Sequence, residues 1–190
     1  MIYRIFALIA IIAVTIWYSW YHSNQLESMI VTDQSTESVL NKLPDATFET
    51  LESTPLNLKQ FFQSEKPDLV VVHFWGTWCA PCEAELPELL DFIKRFENRP
   101  GVKFLLVAVN DDIIKIQKHL KGLSVPSGAI WLLDNKDLYR TAFGSTRVPE
   151  TFVFSSDQKT LRKYLGPQEW NKPLYFQTFD EFIQMTSTKL

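Results

Sequence analysis

Cys79 and Cys82 stand three positions apart and are the only two cysteines among 190 residues. Two thiols cannot build a disulfide-rich scaffold. They also cannot supply a four-cysteine zinc site or an iron–sulfur cluster. Haem attachment would need a histidine after the second cysteine, where Glu83 stands. Redox chemistry is the use left for the pair. A reversible Cys79–Cys82 disulfide would carry the electrons, with no further cofactor and no metal. The three histidines, His22, His73 and His119, lie far apart and lack ligand spacing.

The elements around the pair suit that chemistry. Leu69–Trp75 (LVVVHFW) is a continuous β-branched and aromatic run, as in a strand buried on both faces. Gly76, Thr77 and Trp78 then lead into a helix expected over Cys79–Phe96, where Leu86, Leu89, Leu90, Ile93 and Phe96 recur at helical spacing. A thiolate at a helix N-terminus faces unpaired N–H groups and the positive end of the helix dipole, which lowers its pKa. That assigns Cys79, read as the exposed member, as nucleophile. Cys82, one turn deeper, becomes the resolving thiol. A purely structural disulfide is the rival reading, but closing a four-residue loop would add little stability.

The remaining pattern completes an α/β domain. Thr47–Leu51 reads as a short strand or extended entry, followed by a helical turn within Leu56–Phe62. Val102–Val109 (VKFLLVAV) reads as a second buried strand, Asp112–Leu120 as a helix stopped by Gly122, and Ala129–Leu133 as a strand. A short helix over Asp137–Phe143 ends at Gly144. Thr151–Phe154 and Thr160–Leu165 read as a hairpin, and Phe176–Met185 as a final helix. The order implies a central mixed β-sheet flanked by helices.

The first 21 residues form their own segment. Ile5–Tyr21 is almost wholly apolar and ends in Trp17, Tyr18, Trp20 and Tyr21. About 20 helical residues span roughly 30 Å, a hydrocarbon core's thickness. Amphipathic rings favour the interface. Arg4 precedes the segment and no further Lys or Arg follows until Lys42, which leaves the N-terminus cytoplasmic. The expectation is a single-pass N-terminal membrane anchor (1–21), a polar tether (22–43) and an extracytoplasmic catalytic domain (44–190), in a bacterial inner membrane facing the periplasm. A cleaved signal peptide is the alternative, against which stand the length of the run and the bulky residues after it. A formal charge of −3 and no basic stripe argue against nucleic acid as a partner.

The chain resembles the TlpA/ResA-like membrane-anchored thioredoxins and the CcmG/DsbE branch that serves cytochrome c maturation. The resemblance rests on FWGTWCAPC (Phe74–Cys82), AELPEL (Ala84–Leu89), VAVN (Val107–Asn110) and FGSTRVPETFVF (Phe143–Phe154). It implies a thioredoxin-like fold, reduction of protein disulfides such as those of apocytochromes c, and a transmembrane thiol relay as electron donor. It also implies a cis peptide bond at Val148–Pro149, placing backbone groups of Val148 against a docked peptide. Glu85 matches an acidic position of the family and could carry the proton of the resolving thiol; a solvated helix glutamate is the alternative. His73 departs from the acid or amide found there. It is either a proton acceptor beneath Cys82 or a core histidine satisfied by backbone. Trp78 would shield the disulfide and offer a flat docking surface, Trp75 would pack in the core, and Glu150 would either help choose partners or sit solvated in a turn.

Two other functions fit the cysteines. A strong protein-disulfide oxidase would want histidine between the sulfurs, where Ala80 and Pro81 stand. A copper-binding module would use both thiolates, but no Met or His stands close by.

Overall fold

The computed structural model describes residues 3, 6, 12–18 and 40–187. Residues 12–18 are helical. Among the described residues no helix is long and apolar enough to cross a membrane. The expected anchor falls largely outside the described residues, and so does the expected tether up to residue 39. A separate compact unit begins at Leu40.

That unit is a seven-stranded mixed sheet in the order β2-β1-β5-β4-β3-β6-β7. The central strands β3 (Leu69–Trp75), β4 (Val102–Val109) and β5 (Ala129–Asp134) run parallel. The outer strands β1 (Thr47–Thr50), β2 (Pro55–Asn57), β6 (Glu150–Ser155) and β7 (Thr160–Leu165) are joined antiparallel. Five helices accompany them: α1 (Leu58–Glu65), α2 (Ala80–Phe96), α3 (Ile113–Leu120), α4 (Leu138–Thr141) and α5 (Pro173–Ser187).

The continuous apolar runs of β3 and β4 serve two cores, one on each face of the sheet. Leu69, Val71 and Trp75 of β3, with Phe104, Leu106 and Ala108 of β4, pack beneath α2, α3 and α5. The alternating residues Val70, Val72 and Phe74, with Leu105, Val107 and Val109, pack against α1 and Tyr139 of α4. Period-2 alternation puts neighbouring side chains on opposite faces, so a strand covered on both sides carries no polar positions to betray its pleat. Lys103 of β4 and His73 of β3 are the exceptions, and His73 faces the α2 side with Val71 and Trp75.

Three local expectations need correction. The segment before β3 holds a hairpin, not a single entry strand. Thr50 N–H donates to Thr54 O over 2.8 Å, Ser53 takes a left-handed φ of 60°, and the three-residue β2 is too short to display alternation. Asn57 then caps α1, its side chain accepting from Gln60 N–H. Helix α3 ends before Gly122 as expected, yet Gly122 does not take the left-handed conformation of a glycine cap. Lys121 closes it in right-handed conformation, and Gly122 N–H reaches back to His119 O over 3.4 Å. The last helix starts earlier than expected, at Pro173, where a missing N–H costs nothing.

Candidate active site

Strand β3 ends against the start of α2, and the loop between them carries the redox pair. Cys79 is the N-cap of α2: its Sγ accepts from Cys82 N–H at 3.3 Å. Pro81 occupies the first turn. The two cysteines form a disulfide across a Cα–Cα distance of 5.2 Å. Cys79 is less exposed than expected, at 6%, against 1% for Cys82. The reason lies in what surrounds it: Cys79 belongs to the core cluster beneath α2, and Val148 O lies 3.8 Å from its Sγ. The Val148–Pro149 bond is cis.

The loop before Cys79 is tied to the end of the neighbouring strand. Asp111, after β4, accepts from Thr77 N–H at 2.6 Å and from Thr77 Oγ1–H at 2.9 Å. The same carboxylate accepts from Asp112 N–H at 2.8 Å. Trp78 Nε1–H donates to Val109 O at 3.0 Å while the ring remains 58% exposed beside the disulfide. A Cβ on Gly76 would sit 2.7 Å from Trp78 Nε1, so the indole lies where any side chain at position 76 would go. Trp75 is fully buried, edge-on to Trp131 at 5.5 Å between centroids. Sequence reasoning missed Asp111. The available signal was an acid directly before a helix cap, at the C-terminal end of a parallel strand next to β3, where functional loops collect.

Glu85 is not a solvated helix glutamate. It lies one turn beyond Cys82, and it and His73 have side chains only 3% and 2% exposed. Its Oε2 accepts from Gln168 N–H at 2.7 Å and from Trp170 Nε1–H at 3.2 Å. Its Oε1 lies 3.5 Å from His73 Nε2. The other ring nitrogen of His73, Nδ1, is 2.8 Å from Thr151 Oγ1, its cross-strand neighbour on β6. His73 is thus bonded through Nδ1 to a side chain, not to backbone, and its Nε2 faces Glu85 without a hydrogen bond. Burial dominates both titrations. Glu85 is raised to about 7, with its two N–H donors opposing the rise and Glu88 adding to it. His73 is lowered to about 3. Near neutral pH the imidazole is therefore uncharged and the carboxyl is poised between its two forms.

The segment after β7 holds this site closed. Gly166 N–H donates to Pro149 O at 3.0 Å. The Gln168 side chain donates to Leu165 O and Gly166 O and accepts from the Tyr175 hydroxyl at 2.7 Å. Sequence reasoning singled out neither Gln168 nor Trp170 as a site residue. Glu150, directly after the cis bond, is also no solvated turn residue. It is 1% exposed, with Lys163 Nζ 3.0 Å from its Oε1.

The chemistry available is therefore thiol–disulfide exchange at a helix N-terminus, with a buried carboxyl group one turn further along the helix. Comparisons with known proteins agree. The Redoxin family model matches residues 39–179. The thiol–disulfide oxidoreductase ResA of Geobacillus thermodenitrificans is 27% identical over 71% of this chain and 74% of its own. ResA of Bacillus subtilis is 29% identical over 51% of this chain and 52% of its own. The thioredoxin domain of a thiol–disulfide oxidoreductase from Bacteroides vulgatus superimposes with a TM-score of 0.60 at 20% identity, covering 77% of this chain and 99% of that one. A secreted Mycobacterium tuberculosis disulfide oxidoreductase homologous to Escherichia coli DsbE gives 0.56 at 18% identity, covering 74% and 96%. With its thioredoxin-like sheet and its Cys79–Cys82 pair, the chain belongs to the Redoxin family and is a thiol–disulfide oxidoreductase of the ResA/DsbE type.

Proposed function

We propose that the protein is an extracytoplasmic reductase of protein disulfides, acting on apocytochrome c or a similar oxidised CxxC protein. Cys79, as thiolate, attacks one sulfur of the substrate disulfide and forms a mixed disulfide. The substrate's second sulfur leaves as a thiolate and takes a proton from water. Cys82 then gives its proton to the Glu85 carboxylate and attacks Cys79 Sγ. The intermolecular S–S bond breaks, the Cys79–Cys82 disulfide forms, and the released sulfur takes a proton from water, so that the substrate departs with two thiols. Two electrons have passed from this protein to the substrate. A transmembrane thiol relay restores the dithiol, and the N-terminal anchor holds the domain beside it. Trp78 and the backbone of Val148, next to Pro149, receive the substrate peptide.

The observation that carries this reading is the poised carboxyl of Glu85 one turn below the resolving cysteine. The reducing direction draws support from Ala80 and Pro81 between the sulfurs. No imidazole stands there to stabilise the Cys79 thiolate, and Glu83 adds a carboxylate to the same turn. Mixing the reduced full-length chain with an oxidised CxxCH peptide tests the reading. One peptide dithiol should form per protein disulfide. A peptide left oxidised at equilibrium would contradict the direction.

A further inference from the structure

His73 faces Glu85, and its role rests on the reading of Glu85 as proton carrier. Among the described residues, His73 Nε2 and Glu85 Oε1 have no hydrogen-bond partner, although both are buried. Each is therefore the other's polar neighbour, at 3.5 Å. Glu85 Oε2 already faces two N–H groups that can only donate, those of Gln168 and Trp170. A proton arriving on the carboxylate therefore goes to Oε1. On the far side of the ring, the Thr151 hydroxyl can either donate or accept.

We propose that His73 is a positioning residue that stays neutral and exchanges tautomers as Glu85 gains and loses the proton of Cys82. With Glu85 ionised, His73 Nε2–H donates to Oε1, and Nδ1 accepts from the Thr151 hydroxyl. When Cys82 Sγ passes its proton to Oε1, the new O–H donates to Nε2. The ring gives up its Nε2 proton to water and takes one from water at Nδ1, and that Nδ1–H is donated to Thr151 Oγ1, whose own O–H turns away. Atoms balance: one proton leaves Cys82, one is gained by the Glu85 carboxyl, and the ring keeps one N–H throughout. The purpose is to give both forms of a buried carboxyl a full set of partners, since an unpaired buried polar atom is costly. An apolar residue at position 73 could satisfy neither form.

Other titratable groups face the pair from every side. Glu88 lies on α2 and raises Glu85, and Tyr175 of α5 couples to it. Tyr164 of β7 stands opposite Thr151 in the sheet register, and Cys82 lies one turn away on α2. None of them hydrogen-bonds to His73 Nε2.

Nitrogen-15 NMR of the imidazole in the full-length chain in detergent tests the proposal, with His22 and His119 assigned by substitution. The expected result is an Nδ1–H tautomer below the Glu85 transition and an Nε2–H tautomer above it, with no imidazolium between pH 5 and 9. In Glu85→Gln the exchange should disappear. A single tautomer throughout, or an imidazolium near neutral pH, would overturn the proposal. A kinetic arm separates His73 from a packing residue. In His73→Leu the resolving step should slow about fivefold at pH 7 and its inflection should move up, because the carboxylate has lost a donor. His73→Gln, which can donate or accept, should recover most of that loss. Equal profiles for the Leu and Gln variants would count against the proposal. Failure of the underlying reading looks different: tautomer exchange would persist while Glu85→Gln exchanged thiols at the parent rate at every pH.

Discussion

The backbone N–H of Gln168 donates to Glu85 Oε2 over 2.7 Å, joining residues 83 apart in sequence. The buried Glu85 carboxyl is thus approached from two sides: by the loop after the last strand on one oxygen, and by His73 of the strand beneath the redox loop on the other. The same loop reaches Pro149 O through Gly166 N–H. One short segment therefore ties the buried carboxyl to the cis Val148–Pro149 turn.

The buried pair makes a prediction about stability against pH. Glu85 is raised from 4.5 to about 7, so its contribution is full below pH 4.5 and is lost as pH rises through 7. His73 is lowered from 6.5 to about 3, so its contribution is full above pH 6.5 and is lost as pH falls through 3. Between those ordinary values the two slopes oppose each other. The parent should be nearly flat there. Glu85→Gln should gain stability with rising pH, and His73→Asn should lose it, each by up to about 1.4 kcal/mol per pH unit. Urea unfolding of the oxidised proteins at several pH values measures this. Parallel curves for both variants would show that the pair does not titrate as described.

Asp111 is expected to hold the redox loop in place. Asp111→Ala removes the acceptor for Thr77 N–H, Thr77 Oγ1–H and Asp112 N–H. At roughly 1 kcal/mol per net hydrogen bond, the loss should be about 2–3 kcal/mol. Trp78, anchored by the same loop, should change its fluorescence, and thiol exchange should slow. Asp111→Asn, which keeps an acceptor oxygen, should lose less. An alanine variant with the parent's Tm and exchange rate would remove Asp111 from the account.

The two cysteines are distinguishable by trapping. Cys82→Ala should accumulate a mixed disulfide between Cys79 and an oxidised peptide, because nothing resolves it. Cys79→Ala should accumulate little, since Cys82 is the more deeply buried sulfur. Accumulation in Cys79→Ala alone would reverse the roles.

The sequence disclosed those parts of the molecule that repeat or that carry a rare residue type. The apolar runs of β3 and β4 and the helical spacing of α2 are long enough to read, and the cysteines mark their own site. The hairpin of β1 and β2 is too short to register a period. The closing segment around Gln168 has no period at all, and its meaning depends on a carboxylate far away in the chain. Glu85 could be suspected from its place after Cys82. Its two N–H donors and its histidine partner could not, because they arise from strand pairing and loop closure. Cys79 was expected to be exposed, as position at a helix N-terminus suggests, but the core cluster and the carbonyl of Val148 close around it.

The reduction potential of the Cys79–Cys82 pair tests the central claim most directly, by equilibration of the full-length chain against dithiothreitol or glutathione buffers. Each ~30 mV corresponds to about 1.4 kcal/mol for a two-electron couple. The account predicts a value near or below roughly −270 mV, that of a reducing thioredoxin. A value near roughly −120 mV, that of a strong oxidant, would contradict the reductase reading and leave the fold and the site geometry as they are.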